Sequence, residues 1–477
     1  MPFQAMTSED TVVALATPPG RGGLGVVRLS GERAIEIATR VVRLRKPALE
    51  TQRATLGEIL EPASGRVLDQ VVVTCFRRPH SYTTEDVVEI SCHGAPVVLG
   101  YALERCLAEG ARAAEPGEFT LRAFLNGRID LTQAEAIGDL IESRTLYQAQ
   151  VAAQQMEGSV SSRLKPHKQV LLELIAKLEA GIDFAEDDVP VAGWREISER
   201  LDRISADLEK LVRGYEYGRL VREGLSLAIV GRPNVGKSSL FNRLLEQDRA
   251  IVTATPGTTR DLVSETAEIG GLPLRFVDTA GIRESSDEAE KLGVAKSLEA
   301  IADSSLRLLV LDSSDRWTDE DARLLARVQP LGPLVVALNK SDLPRRLTLP
   351  EISGFPLDRL GAVSEVEPKP APTGIVSTSA LTGEGIPELK EKILAAAVPA
   401  RDLGMEGEFI TNLRHRQLMQ QSLASLAKAR RAAAERTHHE MLLLDLYDAL
   451  HALDTLTGAT YADDILGVIF STFCVGK

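Results

Sequence analysis

One stretch constrains this chain more than any other: Gly231-Arg232-Pro233-Asn234-Val235-Gly236-Lys237-Ser238-Ser239. An apolar run, Leu225 to Val230, precedes it, and Leu240, Phe241 and Leu244 follow at helical spacing. Strand, glycine loop and helix in that order form the context in which G-x-x-x-x-G-K-S cradles phosphates. Backbone N–H groups of such a loop close around the anion, and the helix N-terminus adds its positive end. Lys237 is then placed for the β/γ-phosphates and the Ser238 hydroxyl for Mg²⁺, with Asn234, Val235, Gly236 and Ser239 completing the loop.

Four further elements follow at compatible spacing. Thr253 and Thr255 lead into Thr258 and Thr259, in the run Thr255-Pro256-Gly257-Thr258-Thr259-Arg260-Asp261. A threonine there can complete the Mg²⁺ shell, the role expected of Thr259 beside Ser238. Asp278-Thr279-Ala280-Gly281 ends a strand, with Asp278 reaching Mg²⁺ through water and the Gly281 N–H sensing the γ-phosphate. Asn339-Lys340-Ser341-Asp342 ends another, and the Asp342 carboxylate can accept both guanine N1–H and N2–H, which adenine does not offer together. Ser379-Ala380 is expected to close the last strand and set a backbone N–H against guanine O6. The ordered set selects GTP over ATP. Ile282 occupies the position where Ras-type enzymes carry a water-orienting glutamine, so water must be oriented from elsewhere. Arg283, Glu284 and Glu290 are the nearby polar candidates, although spacing alone favours an ordinary switch-region surface residue at each.

The rest of the chain sets the architecture. At 477 residues about three domains are expected. Strand candidates Thr11–Ala16, Gly25–Leu29, Val71–Phe76 and Val87–Ser91, with helical patterns at Glu32–Val42 and Pro96–Leu107, predict an α+β unit over 1–120. Arg21-Gly22-Gly23 lacks a following Lys-Ser/Thr and reads as a glycine hairpin. Residues 121–219 turn helical, with Leu171, Leu174, Ile175, Leu178 and Ile182, then Ile197, Leu201, Ile204, Leu208 and Leu211, at 3- and 4-residue steps. The acidic turn Asp183–Asp188 between them reads as a solvated loop. Residues 220–398 alternate strand and helix, with strands at 225–230, 262–269, 272–277, 306–311, 334–338 and 374–378 and a Pro/Gly-rich insertion at 344–373. From 399 to 477 the chain is helical again, so the two helical blocks are expected to pack as one discontinuous domain around an inserted nucleotide domain.

Charge and cysteine usage exclude some functions. A net charge of −13 argues against an extended nonspecific grip on nucleic acid. Arg414, Arg416, Lys428, Arg430, Arg431 and Arg436 line one helix, and a solvated face is favoured over an RNA contact. Cys75, Cys92, Cys106 and Cys474 form no CxxC pair, so no zinc knuckle or disulfide framework is expected. No signal peptide is expected from the N-terminal residues, and no apolar run nears the ~20 residues that span a bilayer. A cytoplasmic protein without a membrane partner is the expectation.

In combination, Gly-x-Pro-Asn-x-Gly-Lys-Ser, Gly257-Thr258-Thr259-Arg260-Asp261, Asp278-Thr-Ala-Gly-Ile-Arg-Glu284 and the terminal Cys474-Val475-Gly476-Lys477 resemble the MnmE (TrmE) family of tRNA modification GTPases. The likeness covers the whole chain, including Thr17-Pro-Pro-Gly-Arg-Gly-Gly23, Ser81-Tyr-Thr-Thr-Glu-Asp86, Gly117-Glu-Phe-Thr120 and Phe124-Leu-Asn126. Val475 replaces the commoner Ile, Arg128 stands where Lys is frequent, and the 350–373 insertion is longer. The resemblance implies a homodimer joined through N-terminal domains that bind 5-formyl- or 5,10-methylene-tetrahydrofolate through Arg28, Glu85, Arg128 and Lys477. It also implies nucleotide domains that meet across the dimer and bind K⁺ through Asn234, Thr253, Thr255 and Thr258, with Glu290 orienting water. The implied function is modification at carbon 5 of the tRNA wobble uridine, with a flavin-containing partner (MnmG, or GidA). Cys474 is left open between a nucleophile toward the pyrimidine and a small buried residue. A switch GTPase of ribosome or RNA assembly is the alternative, and it needs neither the Cys474-x-Gly-Lys477 end nor a folate-binding unit.

Overall fold

The computed structural model describes residues 10–46, 48–61, 64–183, 193–247, 267–277, 301–347, 374–398, 409–460 and 463–476. In the N-terminal unit seven strands form one sheet: β1 (Val12–Leu15), β2 (Gly25–Ser30), β3 (Val42–Leu44), β4 (Ala54–Leu60), β5 (Val67–Phe76), β6 (Val87–Cys92) and β7 (Arg112–Ala113). Their order is β3-β4-β5-β6-β2-β1-β7, antiparallel except at β1–β7. Alternation places Val27, Leu29, Val71, Val73, Val88 and Ile90 inward, where they meet Ile37 and Ala38 of the helix Ala34–Val41 and Ala102 and Cys106 of the helix Pro96–Ala108. The glycine stretch after β1 is the hairpin the sequence predicts, since β1 and β2 pair directly. Strands β3 and β4 were not expected. The first has three residues, and the second carries Gly57 and Glu58 among its apolar positions.

Helices from both ends of the sequence build one core. Leu171, Leu174 and Leu178 of the helix Ser159–Asp183 and Ile197, Leu201, Ile204 and Leu208 of the helix Trp194–Arg213 pack with Met419 and Leu426 of the helix Leu413–Ala434 and Leu446 and Leu453 of the helix His439–Thr457. The expected discontinuous helical domain is therefore present. The acidic turn falls largely outside the described residues. Of the basic residues along 413–436, Lys428, Arg430, Arg431 and Arg436 are exposed as a solvated face requires, whereas Arg414 bonds Glu135 at 2.8 and 2.9 Å and the carbonyls of Thr455 and Leu456, and Arg416 lies 4.7 Å over the Tyr215 ring.

The inserted domain holds a six-stranded sheet: β8 (Leu225–Val230), β9 (Ala267–Ile269), β10 (Leu272–Val277), β11 (Leu306–Asp312), β12 (Leu334–Asn339) and β13 (Gly374–Ser377). The order is β13-β12-β11-β8-β10-β9, parallel except for β9. β11 and β12 are buried almost end to end, because helices cover both faces of a parallel sheet. β8 lies between β10 and β11, so connections leave it in opposite directions and open a crevice beyond its carboxyl end. No helix among the described residues is long and apolar enough to cross a membrane.

Candidate functional site

The glycine loop leaves β8 at that switch point and enters the helix Lys237–Gln247. Asn234 takes φ +65°, a left-handed conformation that asparagine tolerates, with its side chain exposed. Gly236 takes φ +94°, and a Cβ there would stand 2.2 Å from Asn339 Nδ2, so a side chain is excluded twice over. Val235 is buried beneath the loop. Lys237 Nζ donates to the carbonyls of Gly231 and Arg232, 2.7 Å each, and burial pulls its pKa below the ordinary lysine range against the opposing field of Glu320. Ser238 and Ser239 are exposed in the first turn, where backbone N–H groups have no intrahelical acceptor. Arg232 Nε donates to buried Asp321 at 2.7 Å, which also forms the capping box of the helix Asp319–Val328 with Thr318.

A second set of loops stands beside the first. Asn339, 1% exposed at the end of β12, donates from Nδ2 to the Val235 carbonyl at 2.9 Å and accepts the Ala380 N–H on Oδ1 at 3.0 Å. One amide thus ties the phosphate loop to the segment after β13. Lys340, at φ +63°, pairs with Asp312 at 2.6 Å, and Asp312 is held below the usual carboxylate range by Lys340 and Ser314, against burial. Asp342 is exposed and accepts the Ser379 hydroxyl at 2.6 Å, which in turn accepts the Thr382 N–H. Asn234 to Ser239, Asn339, Lys340, Asp342, Ser379 and Ala380 therefore stand together. Thr253, Thr255, Thr258, Thr259, Asp278, Thr279, Ala280, Gly281, Arg283 and Glu290 lie outside the described residues.

In the N-terminal unit, a cavity of about 540 Å³ is lined by His80, Ser81, Tyr82, Glu89, Asn126 and Arg128, among others. Arg128 donates to the Ser81 carbonyl at 2.5 Å and lies 5.3 Å from the Tyr82 ring centre. Arg28 faces Glu89 across the β2–β6 pair and bonds it at 2.7 Å, and its other nitrogen donates to the Gly476 carbonyl at 3.2 Å. Glu85 accepts Arg122 at 3.2 Å and the Ser30 hydroxyl at 2.7 Å, so its carboxylate is engaged inside the fold. Arg122, 5% exposed, also meets Asp10 and Glu118; no local motif marks it, and sequence reasoning missed it along with Glu89.

The chain's end reaches this unit. Pro116 bridges Val475, and Gly476, at φ +97°, lies where a Cβ would be 2.2 Å from the Leu15 carbonyl. Cys474 is exposed, which removes the reading of it as a small buried residue. Lys477 lies outside the described residues. A larger cavity, about 820 Å³, shares no lining residue with either loop: it opens where Arg144, Gln148 and Gln155 meet Arg222 and the β10 residues Pro273 and Arg275.

Residues 131–474 match the family model described as the MnmE helical domain, and residues 11–128 that of the GTP-binding protein TrmE N-terminus. Among curated relatives, the tRNA modification GTPase MnmE of Koribacter versatilis is 56% identical over 475 residues, covering 99% of this chain and 100% of the relative. The proteins of the same name from Geotalea uraniireducens and Acetivibrio thermocellus are 41% and 40% identical over 474 residues, each with 99% of this chain and all of the relative covered. The phosphate loop at the switch point, the guanine-type loop beside it and full-length likeness agree, and the chain belongs to the MnmE family of tRNA modification GTPases.

Proposed function

We propose that this GTPase is K⁺-activated, works as a homodimer whose nucleotide domains meet during hydrolysis, and serves the modification of the wobble uridine at carbon 5. A flavin-containing protein is its partner in this reading, tRNA its substrate and the cytoplasm its compartment. The observation that carries the reading is the left-handed turn at Asn234, which leaves an amide side chain exposed at the tip of the phosphate loop.

The residues suit the groups assigned to them. Asn234 offers a neutral oxygen to K⁺, with Thr253, Thr255 and Thr258 as further ligands. Ser238 offers a hydroxyl to Mg²⁺ beside a lysine, with Thr259 and Asp278 as its companions. The N-terminal cavity combines a guanidinium, a carboxylate and a phenol ring, donors and acceptors suited to a folate ring system bearing carboxylates. Arg28, Glu85, Arg128 and Lys477 are assigned to that ligand, with Glu85 acting through Arg122. Bound cations supply charge compensation at the phosphates, and a bound one-carbon folate supplies the carbon for the uridine.

The chain's own residues do the rest. Lys237 exchanges its loop carbonyls for β- and γ-phosphate oxygens. Gly281 reports the γ-phosphate through its N–H, with Thr279 and Ala280 leading into it. Glu290 orients the attacking water in place of the glutamine that Ile282 displaces. Asp342 reads guanine N1 and N2, the Ala380 N–H reads O6 while shared with Asn339, and Ser379 and Lys340 hold these loops. Cys474 is exposed and available as a nucleophile toward the pyrimidine ring.

Steady-state GTP hydrolysis tests this. Exchanging Na⁺ for K⁺ at constant ionic strength should raise turnover steeply, and Asn234→Ala should abolish the rise. Glu290→Ala should lower kcat by roughly 10²–10⁴, the range for a positioned acid–base group, with nucleotide affinity near wild type. Turnover indifferent to K⁺, with Arg283→Ala more damaging than Glu290→Ala, would replace the reading by an internal arginine finger.

A further inference from the structure

Two carbonyls of the loop after β13 are gripped by one guanidinium. Arg243 Nε donates to the Ala380 carbonyl at 2.9 Å, and Nη2 donates to the Leu381 carbonyl at 2.6 Å. Arg243 stands on the helix Lys237–Gln247, less than two turns beyond Lys237. Helix and loop are 137 residues apart in sequence.

The loop needs an external anchor. Its internal bonds, Gly383 N–H to the Ser379 carbonyl at 2.8 Å and Thr382 N–H to Ser379 Oγ at 3.1 Å, close a turn without fixing where the turn sits. Leu381 is 76% exposed, so packing does not hold the outer end. On the inner side Asn339 Oδ1 accepts the Ala380 N–H. Ala380 is thus held on both sides: its N–H by Asn339, and its carbonyl by a charged donor, the stronger class of hydrogen bond. Without Arg243 both carbonyls lose their charged donor, the Ala380 backbone is held from the Asn339 and Asp342 side alone, and its N–H can shift with it away from the base oxygen.

We propose that Arg243 is a positioning residue for guanine recognition, holding the Ala380–Leu381 carbonyls so that the Ala380 N–H is aimed at the base oxygen. The phosphate end and the base end of the pocket are then joined through one helix. This rests on the assignment of the Ala380 N–H to guanine O6, and the experiment separates the two.

Equilibrium binding of three diphosphates to the full chain provides the test: GDP, the 2-aminopurine nucleotide that lacks O6, and the inosine nucleotide that lacks the exocyclic amine. Wild type should prefer GDP to both. Arg243→Ala should reduce the preference over the 2-aminopurine nucleotide by roughly tenfold, the scale of one misplaced hydrogen bond. The preference over the inosine nucleotide should change less than about twofold, because Asp342 lies on another segment and is tied to this loop through the Ser379 hydroxyl, whereas Arg243 grips the Ala380 and Leu381 carbonyls. Arg243→Lys keeps the charge but replaces the two-nitrogen fork, Nε on Ala380 and Nη2 on Leu381, by one shorter ammonium, and should lose about threefold on the same scale; it decides the matter if Arg243→Ala does not fold. Equal weakening of all three nucleotides, or an unchanged O6 preference, would make Arg243 a merely structural residue and overturn the proposal. A wild type indifferent to O6 would instead overturn the base-pocket assignment beneath it.

Discussion

Thr145 Oγ1 donates to the Gly271 carbonyl at 2.7 Å, joining the helical domain to the turn between β9 and β10 of the nucleotide domain. The same oxygen accepts the Gln148 N–H at 3.1 Å and so caps the helix Leu146–Met156. Gln148 extends the junction by donating to the carbonyls of Val221 and Arg222 at 2.8 and 2.9 Å. Thr145→Val keeps the shape and removes both hydrogen bonds. It should cost about 1–2 kcal/mol, the sum expected of a lost cap and one partly buried bond. Thr145→Ser should cost little. A urea midpoint for Thr145→Val equal to wild type would show that the junction is held by packing alone.

A second junction carries a pH dependence. Glu135 is 8% exposed on the helix Leu131–Glu142 and accepts His415 Nε2 at 2.6 Å besides Arg414. Burial alone would raise its pKa, but His415 and Arg414 together outweigh burial and bring it down to about 2. A carboxylate depressed by the fold stabilises it above the unfolded value, here 4.5, and that contribution disappears as pH falls toward 2. Glu135→Gln should therefore destabilise at neutral pH by about 3 kcal/mol or more, since it leaves the half-buried Arg414 guanidinium without its carboxylate. The deficit should shrink as pH drops from about 5 to about 2. A deficit constant across that window, measured by urea denaturation, would contradict the assignment.

The parts legible in the sequence are those whose physics is local. β8 and β12 read as apolar runs because both faces of a parallel strand are buried, and Ile197 to Leu211 read as a helix face because one stripe is buried. The phosphate loop is legible because strand, glycines and lysine are contiguous. The rest depends on partners far away along the chain. Arg28 meets Gly476 across 448 residues, and Arg414 meets Glu135 across 279. A basic helix therefore looks solvated in sequence when one of its arginines is a half-buried bolt between helical blocks. β4 was missed because its buried face carries Thr55 and Gly57 before Ile59 while Leu56 stands exposed, so the strand lacks an apolar-in, polar-out alternation.

The cysteines differ enough in environment to be counted chemically. Cys474 is exposed, whereas Cys75, Cys92 and Cys106 are buried in the N-terminal unit. Burial pushes the Cys92 and Cys106 thiols up to about 12 and raises Cys75 as well. Only a thiolate attacks a disulfide reagent. At pH 8 the native protein should release one equivalent of chromophore rapidly, and the remaining three only after denaturation. Cys474→Ser should abolish the fast phase. Rapid reaction of a second thiol in the native state would show that the N-terminal core opens more readily than its packing implies.

The last prediction concerns the base. Asp342 commits one oxygen to the Ser379 hydroxyl, yet a carboxylate accepts through about four lone-pair positions, which leaves the second oxygen free for guanine. Asp342→Asn exchanges an acceptor for a donor, and a donor matches the C2 oxygen of xanthine rather than the amine of guanine. GTP affinity should fall roughly ten- to hundredfold, the scale of one hydrogen bond to a charged group, while XTP affinity rises. Ser379→Ala is the control, because it removes the hydroxyl that steadies the carboxylate without changing what faces the base. That variant should weaken GTP and XTP together and leave their order intact. An Asp342→Asn protein that still prefers GTP would place the discriminating contact on another residue.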